Sequence, residues 1–227
     1  MRRTALGSLL LALLLASAGA ALAGPPEALP PPIGSVAPPV EPIRQEDGLY
    51  RQSWFVETFL DLREDFAEAK AEGKRLAILF EQRGCPYCVK MHTEVLSQRY
   101  INDYLRQNFR VVQLNLWGSR EVTDFDGARM PEKALAERWG VIFTPTMVFF
   151  KDDLAGLQGK WGRELEAIER LPLSFGRDTF YDLLVWVRHK VYEHDRSFQR
   201  FHIPRIAERE ALAVGQGVPA GAAGRTN

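Results

Sequence analysis

The stretch Arg75-Leu76-Ala77-Ile78-Leu79-Phe80-Glu81-Gln82-Arg83-Gly84-Cys85-Pro86-Tyr87-Cys88 decides how the rest of the chain is read. Its first half is a short apolar run followed by Gly84, which predicts a buried strand over 75–82. Side chains alternate across such a strand, so Leu79 and Glu81 fall on one face. Its second half predicts a helix that starts at or beside Cys85, because Pro86 suits a first helical turn. Cys85 and Cys88 then lie one turn apart on one helix face. They are the only two cysteines among 227 residues. Closing so small a loop constrains little unfolded-chain entropy, so stapling the fold does not explain the pair; redox exchange or metal binding remains.

A cysteine at a helix N-terminus meets unpaired backbone N–H groups and the positive end of the helix dipole, which favours thiolate over thiol. Cys85 takes that place, and Cys88 is expected to be the more buried, less ionised resolving thiol. The cycle is attack by the Cys85 thiolate on a partner disulfide, a mixed disulfide, and displacement of the reduced partner by Cys88; run backwards, it oxidises a dithiol. Pro86 pre-sets the first turn, Tyr87 adds no charge, and Arg83 favours the thiolate if its side chain turns toward the sulfur. These features predict a reduction potential on the order of −200 mV. A metal reading competes, because Met91 and His92 are near in sequence and Cys88 and His92 share a helical face, a set suited to Cu(I). Structural zinc wants four ligands, and there is no second Cys-x-x-Cys. On the redox reading the dithiol is its own redox group, and no further cofactor and no metal are expected.

Outward from this core, strands and helices alternate. Phe55, Phe59, Leu62, Phe66 and Ala69 recur at steps of four and three and predict an N-terminal helix from near Ser53, stopped by Gly73. The helix after Cys85 runs with a kink toward Phe109, with Tyr100, Ile101, Tyr104, Leu105 and Phe109 at helical spacing. Val111 to Leu116 is a second strand. Residues 118–130 are polar and turn-rich and read as a surface insertion; Asp124-Phe125-Asp126-Gly127 within it lacks the remaining ligands of a calcium loop. A short helix follows from Pro131 to Trp139. Val141 to Phe150 is a strand interrupted at Thr144-Pro145, with a hairpin partner expected near Glu164 to Leu171. A last amphipathic helix over 178–192 places Leu183, Val187 and Val191 inside, and Trp186 to His194 reads as a solvated face. The order predicts an α/β fold, a central mixed sheet flanked by helices, with an extra N-terminal helix and a loop insertion before the proline-bearing strand.

At the start, Arg2 and Arg3, the apolar run Leu9 to Leu15 and Ala21-Leu22-Ala23 read as a signal peptide over 1–23, cleaved after Ala23. That implies export to an oxidising compartment, most simply a bacterial periplasm. A Pro-rich linker over 24–52 precedes the folded domain at 53–210, and a disordered Gly- and Ala-rich tail occupies 211–227. The formal net charge of zero leaves no basic field for nucleic acid.

A proline inside a strand gives no N–H to the ladder, and a cis peptide at an exposed turn beside a functional site is one reason for its presence. Together with the upstream Cys-x-x-Cys and Trp139-Gly140-Val141, Thr144-Pro145-Thr146 completes a specific pattern. The segment 76–150 resembles the thioredoxin superfamily. Phe80-Glu81-Gln82, Gly84 to Cys88, Tyr100-Ile101-Asn102, Asn115-Leu116-Trp117-Gly118, Glu121-Val122-Thr123-Asp124 and Phe143-Thr144-Pro145-Thr146 are similar to its Sox-type branch, the periplasmic thioredoxins of sulfur oxidation. The resemblance implies Cys85 as nucleophile, Cys88 as resolving cysteine, Pro145 in cis and Thr144 offering backbone groups to a partner peptide. Trp117, an aromatic at a strand end, reads either as lining the partner groove or as packing. It also implies a reductive direction: protein thiols or disulfides of the periplasm as partners, a sulfur-carrier protein as candidate substrate, and a membrane electron-transfer protein as reductant. Thioredoxins carry a buried aspartate under the cysteine pair, and the matching position here is Leu79. Glu81, on the same face, reads as a surface or hydrogen-bonded structural carboxylate, with a substitute proton relay near Cys88 as the alternative.

Overall fold

The computed structural model describes residues 28–32, 37–152, 159–170 and 175–215. The expected signal peptide lies outside them. The elements run β1 (Ile43–Arg44), β2 (Tyr50–Arg51), α1 (Leu62–Ala71), β3 (Arg75–Glu81), α2 (Pro86–Lys90), a π-helical turn (Met91–Val95), α3 (Arg99–Asn108), β4 (Phe109–Asn115), β5 (Glu121–Thr123), β6 (Arg129–Pro131), α4 (Glu132–Trp139), β7 (Thr146–Phe149), a 3₁₀ turn (Gly162–Leu165), α5 (Arg177–Arg188), α6 (Val191–His194) and α7 (Phe198–Gly215).

The central strand is β3, buried along its whole length, which is why it reads as a continuous apolar run. It pairs in parallel with β4 (Ala77 opposite Val111) and antiparallel with β7 (Ala77 opposite Phe149), giving the order β4-β3-β7. Alternation divides the core in two. Ala77 and Leu79 face a layer made by α3 and α5, with Ile101, Leu105, Phe180 and Leu184. Leu76, Ile78 and Phe80 face Leu62, Phe66, Leu135 and Trp139 on α1 and α4. This is the thioredoxin fold, a mixed sheet between two helical layers.

Several sequence readings change. The N-terminal helix starts at Leu62 and not near Ser53, because Asp61 caps it through Arg63 N–H and Leu60 sits at a φ of +59°. Phe55 instead joins the α3–α5 core, and Phe59 is 98% exposed. Gly73, at φ +68°, ends the turn after α1 as expected. The long helix after Cys85 breaks into α2, the π-helical turn and α3, and Phe109 opens β4 by pairing with Arg75; helical spacing alone does not separate the last helical residue from the first strand residue.

The polar insertion folds as the β5–β6 hairpin, closed by Asp124 and by Gly127 at φ +87°. Pro131 caps α4 from just outside it. The expected hairpin partner of β7 is reduced, among the described residues, to one bridge between Phe150 and Glu166. The Gly162 N–H before it is drawn to the Asp124 carboxylate (3.0 Å), and the chain there coils into the 3₁₀ turn. Trp186 is buried against Tyr192 and Phe198, so the end of α5 is not a solvated face; α6 and α7 cover it.

The described part of the Pro-rich linker lies on the domain. Pro30 and Pro32 carbonyls accept from Arg205 and Arg209 of α7, Val40 N–H donates to the Ser97 carbonyl, and β1–β2 form a hairpin ending in fully buried Gln52. The domain therefore begins before residue 53. α7 likewise continues to Gly215, past the boundary expected at 210, while 216–227 lie outside the described residues.

Candidate functional site

The cysteines stand where β3 hands over to α2. Gly84, at φ +77°, turns the chain out of the sheet, and Cys85 (φ −84°, ψ 111°) is the N-cap of α2 with Pro86 as first helical residue. Cys85 Sγ accepts a hydrogen bond from the Cys88 N–H at 3.0 Å, a donor the helix itself leaves unpaired. The two sulfurs are joined in a disulfide, with Cα atoms 5.3 Å apart. Both residues keep 5% of their surface, so the expected difference in burial between them is not seen. What differs is the surroundings of Cys85, which also meets Thr144 in the segment before β7.

The segment that leads into β7 supplies the Thr144–Pro145 peptide, which is cis; the strand expected over 141–150 is confined to Thr146–Phe149, so Pro145 precedes it and does not interrupt it. Thr144 Oγ1 lies 3.4 Å from Cys85 Sγ, placed to donate to it, and the Thr144 carbonyl oxygen lies 3.5 Å away, where a reduced Cys85 thiol would donate. Thr146 Oγ1 donates to the Phe143 carbonyl and holds the turn. Around the pair stands an apolar rim: Tyr87 is 60% exposed and Ile142 85%, with Val89 and Phe143 also exposed.

Trp117 follows β4, whose end pairs Asn115 with Glu81 at the end of β3. It is 63% exposed, its Nε1 donates to Gln82 Oε1 at 2.6 Å, and Lys133 Nζ lies 5.4 Å from its ring centre. Buried Glu132 fixes this loop, accepting from the Asn115 and Arg120 N–H groups and from the Arg120 guanidinium. Gln82 appears in the sequence reading only inside a motif, and Glu132 went unnoticed, since nothing in sequence distinguishes a loop-holding carboxylate from the polar face of a helix. The Arg83 stem packs against Gly48 of the β1–β2 turn.

Glu81 is buried at the end of β3 and bonds His92 Nε2 (2.9 Å) and Gln113 Nε2. His92 is fully buried. Its Nδ1 faces Gln52 Nε2 at 3.3 Å. Both ring nitrogens are thus engaged away from the sulfurs, which removes His92 from the Cu(I) set considered above. Asp124 and Asp126 are bonded to Trp139, Arg138 and backbone N–H groups, an arrangement of donors and not of cation ligands. In chemical terms, the site is a dithiol/disulfide centre at a helix start, bordered by apolar side chains.

Residues 62–159 match the thioredoxin-like domain family. Among solved structures, a thioredoxin-fold protein from Helicobacter pylori is similar at 19% identity over 63% of this chain and 86% of that one, with a TM-score of 0.47. A thioredoxin from Thermus thermophilus is 27% identical over 60% and 94%, with a TM-score of 0.43. A DsbH oxidoreductase is 16% identical over 62% and 90%, with a TM-score of 0.39. No curated protein matches the chain.

Proposed function

We propose that this protein is an exported thiol:disulfide oxidoreductase that reduces a disulfide on a periplasmic partner protein of sulfur oxidation. The observation that carries the chemistry is the Cys85–Cys88 disulfide at the start of α2, set against Thr144 and cis Pro145. In the reduced protein, the Cys85 thiolate attacks one sulfur of the partner disulfide. The partner S–S bond breaks, its second sulfur leaves as a thiolate and takes up a proton, and a Cys85–partner bond forms. Cys88 then loses its proton and attacks Cys85 Sγ, closing the Cys85–Cys88 bond as the partner's first sulfur leaves. Two electrons pass from the dithiol to the partner.

The apolar rim of Tyr87, Trp117, Ile142 and Phe143 suits an extended segment of the partner laid across the pair. The reductive direction, the sulfur-carrier substrate and re-reduction by a membrane electron-transfer protein rest on the resemblance of the motifs to the Sox-type branch. Export rests on the N-terminal pattern of 1–23.

Insulin reduction by the dithiol, lost in Cys85→Ser, tests the chemistry. Cys88→Ser lacks the resolving thiol and should accumulate as a mixed disulfide in a periplasmic extract. Recovery of a sulfur-oxidation protein in that adduct supports the substrate assignment, and recovery of unrelated secreted proteins instead would replace it with a general reductase.

A further inference from the structure

The charges around the sulfur pair are of one sign. Three stretches of chain border it: 82–90, which carries the cysteines; 115–120, at the end of β4 and beyond; and 140–146, which leads into β7. Their charged residues are Arg83, Lys90 and Arg120, with no aspartate or glutamate, in a chain whose formal charge sums to zero. A fourth cation joins them from α4, where Lys133 Nζ stands 5.4 Å from the centre of the Trp117 ring. Lys90 follows Tyr87 by three residues, a spacing that puts the cation and the exposed ring on one helix face.

Carboxylates on neighbouring elements neutralise only part of this set. Arg120 is matched, since buried Glu132 accepts from its guanidinium at 2.6 Å. Lys133 meets Glu137 at 3.9 Å, with both side chains mostly exposed, a pair of little strength. The side chains of Arg83 and Lys90 are exposed and make no hydrogen bond or ion pair among the described residues. Glu94 follows Lys90 by four residues without pairing with it. Glu46 and Asp47 precede Gly48, on which the Arg83 stem packs, and the Asp47 carboxylate accepts instead from the Leu49 N–H at 2.9 Å. Unpaired cations thus stand two residues before Cys85 and two after Cys88, and a weakly paired one stands at Trp117.

A partner segment that covers Tyr87, Ile142 and Phe143 takes water from the cations at the edge of that rim. Losing hydration costs a cation free energy unless the partner supplies an opposite charge, and a basic segment adds repulsion. We infer that the partner disulfide lies in an acidic segment, apolar where it crosses the pair and bearing carboxylates on either side, which Arg83, Lys90 and Lys133 meet. The inference rests on the oxidoreductase reading and adds to it the class of segment that is reduced. Because the three cations are exposed, their attraction acts on the encounter as well as on the bound state, and salt weakens both.

The test gives the reduced protein cyclic peptides closed by one disulfide, which share an apolar sequence and differ only in flanking glutamates, serines or lysines. Each rate, read from acid-quenched samples, is divided by that of the same peptide with dithiothreitol, whose thiolate meets the same flanks without a protein surface. At low ionic strength the glutamate peptide should then react about tenfold faster than the serine peptide, and the lysine peptide about tenfold slower. In about 1 M salt, where the screening length is about 3 Å, the three should converge to within about twofold. Lys90→Gln and Lys133→Gln should each cut the glutamate-to-serine ratio about threefold, while Lys70→Gln, at an exposed position of α1, should leave it unchanged. Equal rates for the three peptides, a preference for lysine flanks, or a glutamate preference that neither salt nor either substitution lowers overturns the inference and leaves the oxidoreductase reading standing. Reduction of none of the peptides, nor of insulin, at any ionic strength sinks that reading and the inference with it.

Discussion

Replacing Asp124 by alanine should cost the fold about 3 kcal/mol, and the number follows from what its carboxylate holds. Oδ1 accepts from the Phe125 and Gly162 N–H groups (2.7 and 3.0 Å), and Oδ2 from Trp139 Nε1 and Arg138 (3.0 and 2.9 Å). Arg138 also pairs with Asp126 and is partly exposed, so its loss is small. Gly162 N–H and Trp139 Nε1 have no such recourse. Each is buried, and an unpaired buried donor costs about 1–3 kcal/mol, lowered where water enters the space left by the carboxylate. Phe125 N–H adds a fraction.

The sum, about 3 kcal/mol, is a large part of the 5–15 kcal/mol typical of a domain and corresponds to a melting temperature lower by roughly 6–12 °C. Urea unfolding followed by tryptophan fluorescence measures it, with Asp126→Ala as control, expected within about 1 kcal/mol of wild type. Equal effects from the two substitutions, or less than about 1 kcal/mol for Asp124→Ala, would refute the argument.

Other perturbations address the pH response and the rim. Burial pushes the Asp65 carboxyl up to about 6, against a hydrogen bond from Thr58 and the charge of Arg110. A carboxyl whose folded value is raised adds stability that is present below its unfolded value and lost as pH rises through about 6. Wild type should therefore gain on the order of 2 kcal/mol on Asp65→Asn between pH 7.5 and 4, read from paired urea curves. Asp182 has the opposite sign. Burial pushes it up, but hydrogen bonds from His202, Arg209 and Arg205 outweigh that and hold it below the usual range. Its contribution is present above the unfolded value and is lost on acidification, and Asp182→Asn should remove that part of the acid-limb slope. Trp117→Ala should raise KM for a protein disulfide about threefold to tenfold while leaving stability within about 1 kcal/mol, because the indole is mostly exposed. An unchanged KM would remove Trp117 from the partner surface.

Much of this protein is local and therefore legible. The apolar run of β3, the glycine and cysteine at its end, Pro86 in the first helical turn and the proline just before the last strand each announce their place through backbone sterics or hydrogen-bond supply within a few residues. Where two local signals met without a gap, as at Asn108 and Phe109, the period of the helix ran on past its true end.

The sequence by itself determined the strand–cysteine–helix unit and the α/β class, since both depend on neighbours along the chain. Tertiary structure decided which polar groups matter. Gln52 was placed in a linker, His92 on a helix and Asn102 within a motif, and only the approach of β2 to the active-site helix joins them to Trp54 and Glu81. Hydrogen bonds between residues 40 to 50 positions apart leave no periodicity to read; they exist because the folded chain shuts those groups away from water and gives them one another as partners.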